Sequence, residues 1–294
     1  MSTTSPKHLF AYALCGDSHG AFVNTSLRFL KRFTNQDIVV VAARCSTPIE
    51  HDQVFRSDIP DEFDNHQASI LLKTNLHRLV GDRQRRCCYL DTDVVAVSDQ
   101  IDSIFELKQG PVTFAADHGQ MRRFSRWAMN CGCTRGECDH LRQAILEKFG
   151  VAVPDPNWRH WNGGVFLFDS DSTEFMDMWH AFTRSIFDDP AWKTRDQGTL
   201  IATVWKQGLQ KQAVLPRIYN YIVDSMFGAT DARRALLKPA DYHVDRSYSL
   251  DPRSSSPHPY FLHFINRGLG ARGWKNWDDA ESLIQNSTSG NARQ

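Results

Sequence analysis

The chain has 294 residues, 41% of them hydrophobic, and its 34 Lys and Arg balance 34 Asp and Glu to a formal net charge of zero. That length suits one large α/β domain or two small ones, and the hydrophobic share is enough for a real core. Zero net charge gives no global pull toward nucleic acid or an anionic membrane, and no apolar run reaches membrane-spanning length. Met1 to His8 are polar, with no signal-peptide core behind them, so the expected location is the cytoplasm.

In chain order, Leu9 to Cys15 reads as the first strand, Gly16-Asp17-Ser18-His19-Gly20 as a turn, and Asn24 to Phe33 as a helix by its apolar spacing. Asp37 to Ala43 is a second strand, apolar almost throughout. The resulting β-α-β unit points to a parallel sheet covered on both faces. Thr47 to Asn65 is polar and carries Pro48 and Pro60, the pattern of a loop. Ala68 to Val80 predicts a helix with Ile70, Leu71, Leu76 and Leu79 on its buried side. Arg83-Gln84-Arg85-Arg86 reads as a solvated edge. Cys87-Cys88-Tyr89-Leu90 is a short buried strand that runs into Asp91-Thr92-Asp93.

Ile101 to Leu107 predicts a short helix, and Pro111 to Asp117 a strand ending in an acid. His118 to Pro156 looks irregular except for a helix over Leu141 to Phe149. Trp161 to Asp169 is a strand entered through Gly163-Gly164, where missing side chains permit close backbone approach. Thr173 to Phe187 is an amphipathic helix. Asp196 is placed as the N-cap of a further helix through Lys206, with Gln197 in its first turn. Val214-Leu215-Pro216 reads as a short strand before Tyr219-Asn220-Tyr221. Pro259 to Ile265 is the last strand, with His263 between apolar neighbours, and residues 286–294 have the composition of a disordered tail.

The D-x-D after the third strand carries the strongest chemistry. A carboxylate at the end of a buried strand is costly unless paired or bound to a cation. Two acids separated only by Thr92 also repel, and a divalent ion relieves both problems. Hard cations such as Mg²⁺ and Mn²⁺ prefer carboxylate oxygens and bridge proteins to substrate phosphates. In open α/β sheets ligands gather at the carboxyl ends of the strands. The competing reading is a solvated turn with acids at its tip.

Seven cysteines are an odd number, and a cytosolic chain argues against a disulfide framework. Cys15, Cys45, Cys87 and Cys88 sit in or beside apolar stretches and read as small core residues. Cys131, Cys133, Cys138 and His140 crowd into one segment, but their spacing is not that of a standard zinc knuckle. A structural metal, reduced thiols and a disulfide all stay open there.

Taken together, Tyr89-Leu90-Asp91-Thr92-Asp93, then Asn162-Gly163-Gly164-Val165, then Asp196-Gln197 opening a helix, then His263-Phe264, form an order that resembles glycosyltransferase family 8 over roughly Leu9 to Trp274. The resemblance implies an α/β GT-A fold, with a mostly parallel central sheet flanked by helices. It implies one domain over residues 1–285, ahead of the tail. The activity implied is transfer of a hexose from a nucleotide sugar, UDP-glucose or UDP-galactose first, to an acceptor hydroxyl with retained configuration. The acceptor, whether carbohydrate, lipid-linked or protein, is left open, and no nucleic-acid partner is implied.

By the same resemblance, Asp91, Asp93 and His263 would hold Mn²⁺ or Mg²⁺ against the diphosphate of the UDP-sugar. Gly16, Asp17 and Ser18, with His19, would cradle the uridine, and Lys73 would lie near diphosphate and sugar. Asp117, Asn162 and Asp196 would hold sugar hydroxyls, and Gln197 would lie at the reacting carbon. Asp196 and Gln197 are thus the candidate catalytic pair. Two departures stand out. The family's His-Phe-x-Gly-x-x-Lys-Pro-Trp is replaced by a run in which Arg267 or Arg272 could substitute for the lysine, and Gly198 stands where a second Asp often follows Asp-Gln. The alternatives weighed are a sugar nucleotidyltransferase, whose Gly-rich phosphate loop is not matched by the sparse Gly16 to Gly20 turn, and a silent GT-A scaffold or carbohydrate-binding protein. Acceptor contacts are expected from His118 to Asp155 and Met226 to Ser256, with Trp127, Trp158 and Trp161 as possible stacking platforms.

Overall fold

The computed structural model describes residues 8–80, 85–133, 136–193, 195–224 and 259–265. Among them lie the strands β1 (Leu9–Cys15), β2 (Asp37–Ala43), β3 (Val54–Arg56), β4 (Cys87–Leu90), β5 (Val94–Ala96), β6 (Thr113–Gln120), β7 (Arg159–Phe168), β8 (Tyr221–Asp224) and β9 (Phe261–Ile265). The helices are α1 (Asp17–Phe33), α2 (Asn65–Thr74), α3 (Leu76–Leu79), α4 (Met121–Ala128), α5 (His140–Phe149), α6 (Thr173–Ser185) and α7 (Asp196–Lys206), and Ile101–Leu107 forms a 3-10 turn.

Six strands form one sheet in the order β3-β2-β1-β4-β7-β6. β1, β2, β3 and β4 pair in parallel, and β7 runs antiparallel to both β4 and β6. Only β7 is therefore reversed, and the sheet is mostly parallel. Alternate residues of β1 feed different cores. Phe10, Tyr12 and Leu14 pack with Val23, Leu27 and Leu30 of α1, while Leu9, Ala11, Ala13 and Cys15 join Leu72 of α2, Trp179 of α6 and Leu200 of α7. Burial on both faces is why the strand reads as an unbroken apolar run rather than an alternating one. Cys15, Cys45, Cys87 and Cys88 are buried free thiols in these cores.

Three elements depart from the sequence reading in ways that shape the site. α1 begins at Asp17, without a separate turn, because Gly16 takes φ 86° and redirects the chain in one residue. α2 begins at Asn65, where Asp64 and Gln67 complete a reciprocal capping box worth about 1 kcal/mol. The helix expected through Val80 breaks at Asn75. Thr74 is buried, its hydroxyl bonds back to the Ile70 carbonyl at 3.0 Å and pairs with His180 Nδ1 at 2.8 Å. A threonine bonded back in this way bends helices. α4 occupies part of the stretch expected to be irregular. Together with α5 and α7 it closes a third core of Met121, Ala128, Leu141, Ile145, Ile201 and Trp192.

β5, β9 and β8 form a second, three-stranded sheet in that order. The chain crosses from the large sheet to the small one through Asp91-Thr92-Asp93, between β4 and β5. The residues of the predicted tail, 286–294, and the upper boundary of the predicted domain lie outside the described residues. No described helix is long and apolar enough to cross a membrane.

Candidate active site

The crossing between sheets fixes the two acids. Asp91 N–H donates to the Gly164 carbonyl at 2.8 Å, and Val94 N–H closes the turn on the Asp91 carbonyl at 3.0 Å. β5 then pairs antiparallel with β9 so that Val94 stands opposite His263, and Phe264 N–H donates to the Asp93 carbonyl at 3.0 Å. His263 Nε2 lies 3.3 Å from Asp93 Oδ1 and 3.7 Å from Asp91 Oδ2. One ligand atom from each of the three residues fits within 4.8 Å of the others. His263 lies inside the central strand of the small sheet, facing the acids across the pairing of β5 with β9.

Two carboxylate oxygens and one imidazole nitrogen form a donor set that fits Mn²⁺ or Mg²⁺, with coordination positions left for phosphate oxygens. The imidazole is oriented for that role by a chain of amides. Asn162 Nδ2 donates to Asp117 Oδ2 at 2.9 Å and its Oδ1 accepts from Gly164 N–H at 2.9 Å, which fixes the amide's direction. Asn220 Nδ2 donates to the same Asn162 Oδ1 at 2.9 Å, so Asn220 presents its Oδ1 to His263 Nδ1 at 3.0 Å. Nδ1 therefore carries a hydrogen, and Nε2 is the atom turned toward Asp91 and Asp93. Burial disfavours the imidazolium, but the Asp93 and Asp91 carboxylates outweigh it and hold the His263 pKa above its ordinary value. A cation binding there takes the place of the Nε2 proton.

Lys73 is no solvated helix residue. It is 6% exposed, with Nζ 2.7 Å from Asp196 Oδ2 and 3.2 Å from Asp91 Oδ1, 5.1 Å above the Tyr89 ring. Burial pulls its pKa down, but the two carboxylates pull harder, and the ammonium is held charged. Tyr89 donates its hydroxyl to Asp91 Oδ1 at 2.6 Å. Asp196 does not cap α7. Arg195 occupies the N-cap with no side-chain cap bond, and Asp196 is the first helical residue, its carboxylate turned to Lys73. Gly163 leaves room for this pair, since a Cβ there would sit 3.1 Å from Lys73 Nζ and 3.3 Å from Asp196 Oδ2.

Asp117 and Gln197 meet at the other side of the site. Gln197 Nε2 donates to Asp117 Oδ2 at 2.9 Å and lies 3.3 Å from His160 Nδ1, while Gly119 N–H donates to Asp117 Oδ1 at 2.9 Å. The pairing of β6 with β7 slips between Phe114 and Ala115 and again between Ala116 and Gln120. Such bulges re-aim side chains, and here they bring Asp117 and Asn162 together.

The residues expected to cradle the uridine lie at the start of α1. Asp17 accepts from Ser46 N–H at 2.6 Å, Ser46 Oγ at 2.8 Å and Thr47 N–H at 2.7 Å, contacts that lower its pKa to about 2. Its carboxylate ties the start of α1 to the loop after β2, with Gly16 behind it and Ser18 exposed beside it. His19 lies 3.4 Å from Thr92 Oγ1, linking α1 to the acidic turn. Arg267 and Arg272 lie outside the described residues. Trp161 is buried and stacked on Phe114, and Trp158 packs edge-on to Trp205, so both serve the core; Trp127 keeps an exposed face. Sequence reasoning missed Tyr89, His160 and Asn220 as parts of the site. Only Asn220, in a polar gap between two tyrosines after Pro216, carried a signal that could have found it.

The family model described as Glycosyl transferase family 8 matches residues 26–278. No curated protein sequence matches the chain significantly. Among solved structures, an active-site mutant of LgtC superposes with a TM-score of 0.57 at 15% identity, covering 96% of this chain and 95% of that one. The galactosyltransferase LgtC in complex with donor and acceptor sugar analogs gives 0.54 at 12% identity, covering 95% of each chain. Mouse xyloside xylosyltransferase 1 gives 0.52 at 12% identity, covering 88% of this chain and 98% of that one. At these identities the likeness establishes the GT-A fold.

Proposed function

The chain belongs to glycosyl transferase family 8 and is a glycosyltransferase, and we propose that it moves a hexose from a UDP-sugar to an acceptor hydroxyl, with Mn²⁺ or Mg²⁺ bound and with retention at the anomeric carbon. One observation carries this reading: Asp91, Asp93 and His263 converge from two sheets at a point that Lys73 and Asp196 also border. Asp91, Asp93 and His263 would hold a divalent cation that, when bound, would supply Lewis-acid stabilisation of a diphosphate leaving group. Lys73 supplies a fixed positive charge beside the same phosphates, of the kind that stabilises charge developing in the transition state. Asp117, Asn162 and Asp196 are buried or half-buried groups able to accept or donate to sugar hydroxyls, which lets the site reject a wrong epimer strongly. Arg267 and Arg272 are retained as phosphate contacts on the resemblance alone.

Retention by a covalent intermediate needs a good nucleophile on the sugar's far face. The Gln197 amide is a poor one, and it donates to Asp117. Asp196 is neutralised by Lys73. Same-face attack, with the leaving phosphate accepting the acceptor's proton, fits these residues better. The test is a screen of UDP- and GDP-sugars for metal-dependent hydrolysis by the purified protein. Turnover of a UDP-hexose that needs Mn²⁺ or Mg²⁺ and is lost in Asp93→Ala is expected. Turnover that ignores chelation, or survives Asp93→Ala, would overturn the metal-dependent reading.

A further inference from the structure

We infer that Cys131, Cys133, Cys138 and His140 form a structural zinc site that clips the loop between α4 and α5. The four side chains lie outside the donor site, yet one ligand atom from each fits within 4.8 Å of the others. Cys131 Sγ and Cys138 Sγ are 3.9 Å apart, and Cys133 Sγ is 3.8 Å from His140 Nδ1. Zinc–sulfur bonds of about 2.3 Å at a tetrahedral angle place neighbouring ligands about 3.8 Å apart. Two of the six ligand pairs thus already stand near the edge length of a zinc tetrahedron, and the others lie within 4.8 Å, about 1 Å of contraction away. Three thiolates and one imidazole complete the shell, leaving no open position, the mark of a structural site.

The loop is built to converge. Gly132 and Gly136 take φ 64° and 77°, a left-handed backbone that side-chain-bearing residues rarely adopt; Gly132 turns the chain between Cys131 and Cys133, and Gly136 turns it two residues before Cys138. Ion pairs from Arg122 to Glu137 at 3.7 Å and Asp139 at 3.5 Å, and from Arg123 to Glu137 at 3.3 Å, pin the returning strand to α4. Cys138 has a partner suited to a thiolate. Buried Ser125 Oγ accepts the Leu141 N–H at 2.9 Å and the Cys138 thiol at 3.1 Å; with Cys138 as a metal-bound thiolate, the Ser125 hydroxyl would turn to donate to Sγ instead. Hydrogen bonds to ligand atoms of this kind tune and orient metal ligands. A disulfide between Cys131 and Cys138 would use two of the four groups and strand the others. The clip joins the two helices that build the third core against α7, whose first residues are Asp196 and Gln197.

The experiment uses the full chain, purified under reducing conditions from zinc-replete medium and dialysed against EDTA to strip the carboxylate site. About one zinc per chain should remain, and a mercurial reagent should release it as the thiols are titrated. Cys133→Ser and His140→Ala should lose the metal, and Asp93→Ala should keep it. Should those variants fail to fold, the unaltered chain reconstituted with Co²⁺ still decides. Thiolate-to-cobalt charge transfer with intense tetrahedral d–d bands supports the site. Absence of those bands, EDTA-washed protein without zinc, zinc retained in both Cys133→Ser and His140→Ala, or a Cys131–Cys138 disulfide found by mass spectrometry each overturn it.

Discussion

Asn220 is not itself expected to meet substrate, yet its place in the amide chain gives it leverage over His263. It stands between Asn162 Oδ1 at 2.9 Å and His263 Nδ1 at 3.0 Å, and it is 3% exposed. Removing it leaves His263 Nδ1–H without its acceptor and lets the ring turn. Losing such a supporting partner typically costs about 10–100-fold in metal affinity. Asn220→Ala should therefore weaken Mn²⁺ binding in the presence of UDP by about that factor, while UDP binding without metal changes little. Asn220→Asp keeps an oxygen for Nδ1–H but loses the donor to Asn162 Oδ1, so it should recover only part of the loss. Calorimetric titration of the three proteins checks this, and equal Mn²⁺ affinity in all of them would remove Asn220 from the site. His263 itself was legible only through the order of motifs. A histidine between apolar residues looks like a core residue until the acids across the sheet pairing are known. Lys73 was equally opaque, because nothing local to a helix says that two distant carboxylates will surround its ammonium.

β7 is the element that holds the site's halves in place. It pairs with β4 on one side and β6 on the other, and its glycine pair faces two different groups. A Cβ on Gly164 would collide with the His263 ring at Cε1, whereas one on Gly163 would sit at 3.1 Å from the flexible end of Lys73. Gly164→Ala should thus push β9 away, costing about 1–3 kcal/mol of stability and the metal site with it. Gly163→Ala should disturb the Lys73–Asp196 pair and leave Mn²⁺ binding close to normal. Denaturant unfolding with calorimetry separates the two, and a Gly164→Ala protein that binds Mn²⁺ normally would contradict the packing argument. At this scale most strands were legible, because strands buried on both faces print unbroken apolar runs. α4 was hidden by Arg122, Arg123 and Arg126, although Met121, Phe124 and Ala128 keep helical spacing beneath them. The small second sheet was illegible, since strands as short as Val94–Ala96 carry no period and their partners lie far along the chain.

For the molecule as a whole, the proposed donor site sits where two sheets and two helices meet. Asp91 follows β4 of the large sheet, His263 belongs to the small sheet, Lys73 comes from α2 and Asp196 from α7. A ligand that engages all four should stabilise the entire arrangement, by an amount set by mass action: about 2.7 kcal/mol at a concentration one hundred times its dissociation constant. On the proposed function, UDP and Mn²⁺ would complete each other's contacts there, since a cation held by Asp91, Asp93 and His263 would have positions left for phosphate oxygens. Their binding should be positively coupled, on the order of 1–3 kcal/mol. Melting curves should then show a small rise with UDP alone and with Mn²⁺ alone, and a rise with both that exceeds the sum. Asp93→Ala and His263→Ala should fold, melt cooperatively and lose only the excess. The clip at Cys131, Cys133, Cys138 and His140 is independent of this coupling, so Mn²⁺ added to zinc-loaded protein must act through the acids. If UDP shifts the midpoint equally with and without Mn²⁺, or if the excess persists in Asp93→Ala, the cation does not bridge Asp91, Asp93 and His263 to the diphosphate.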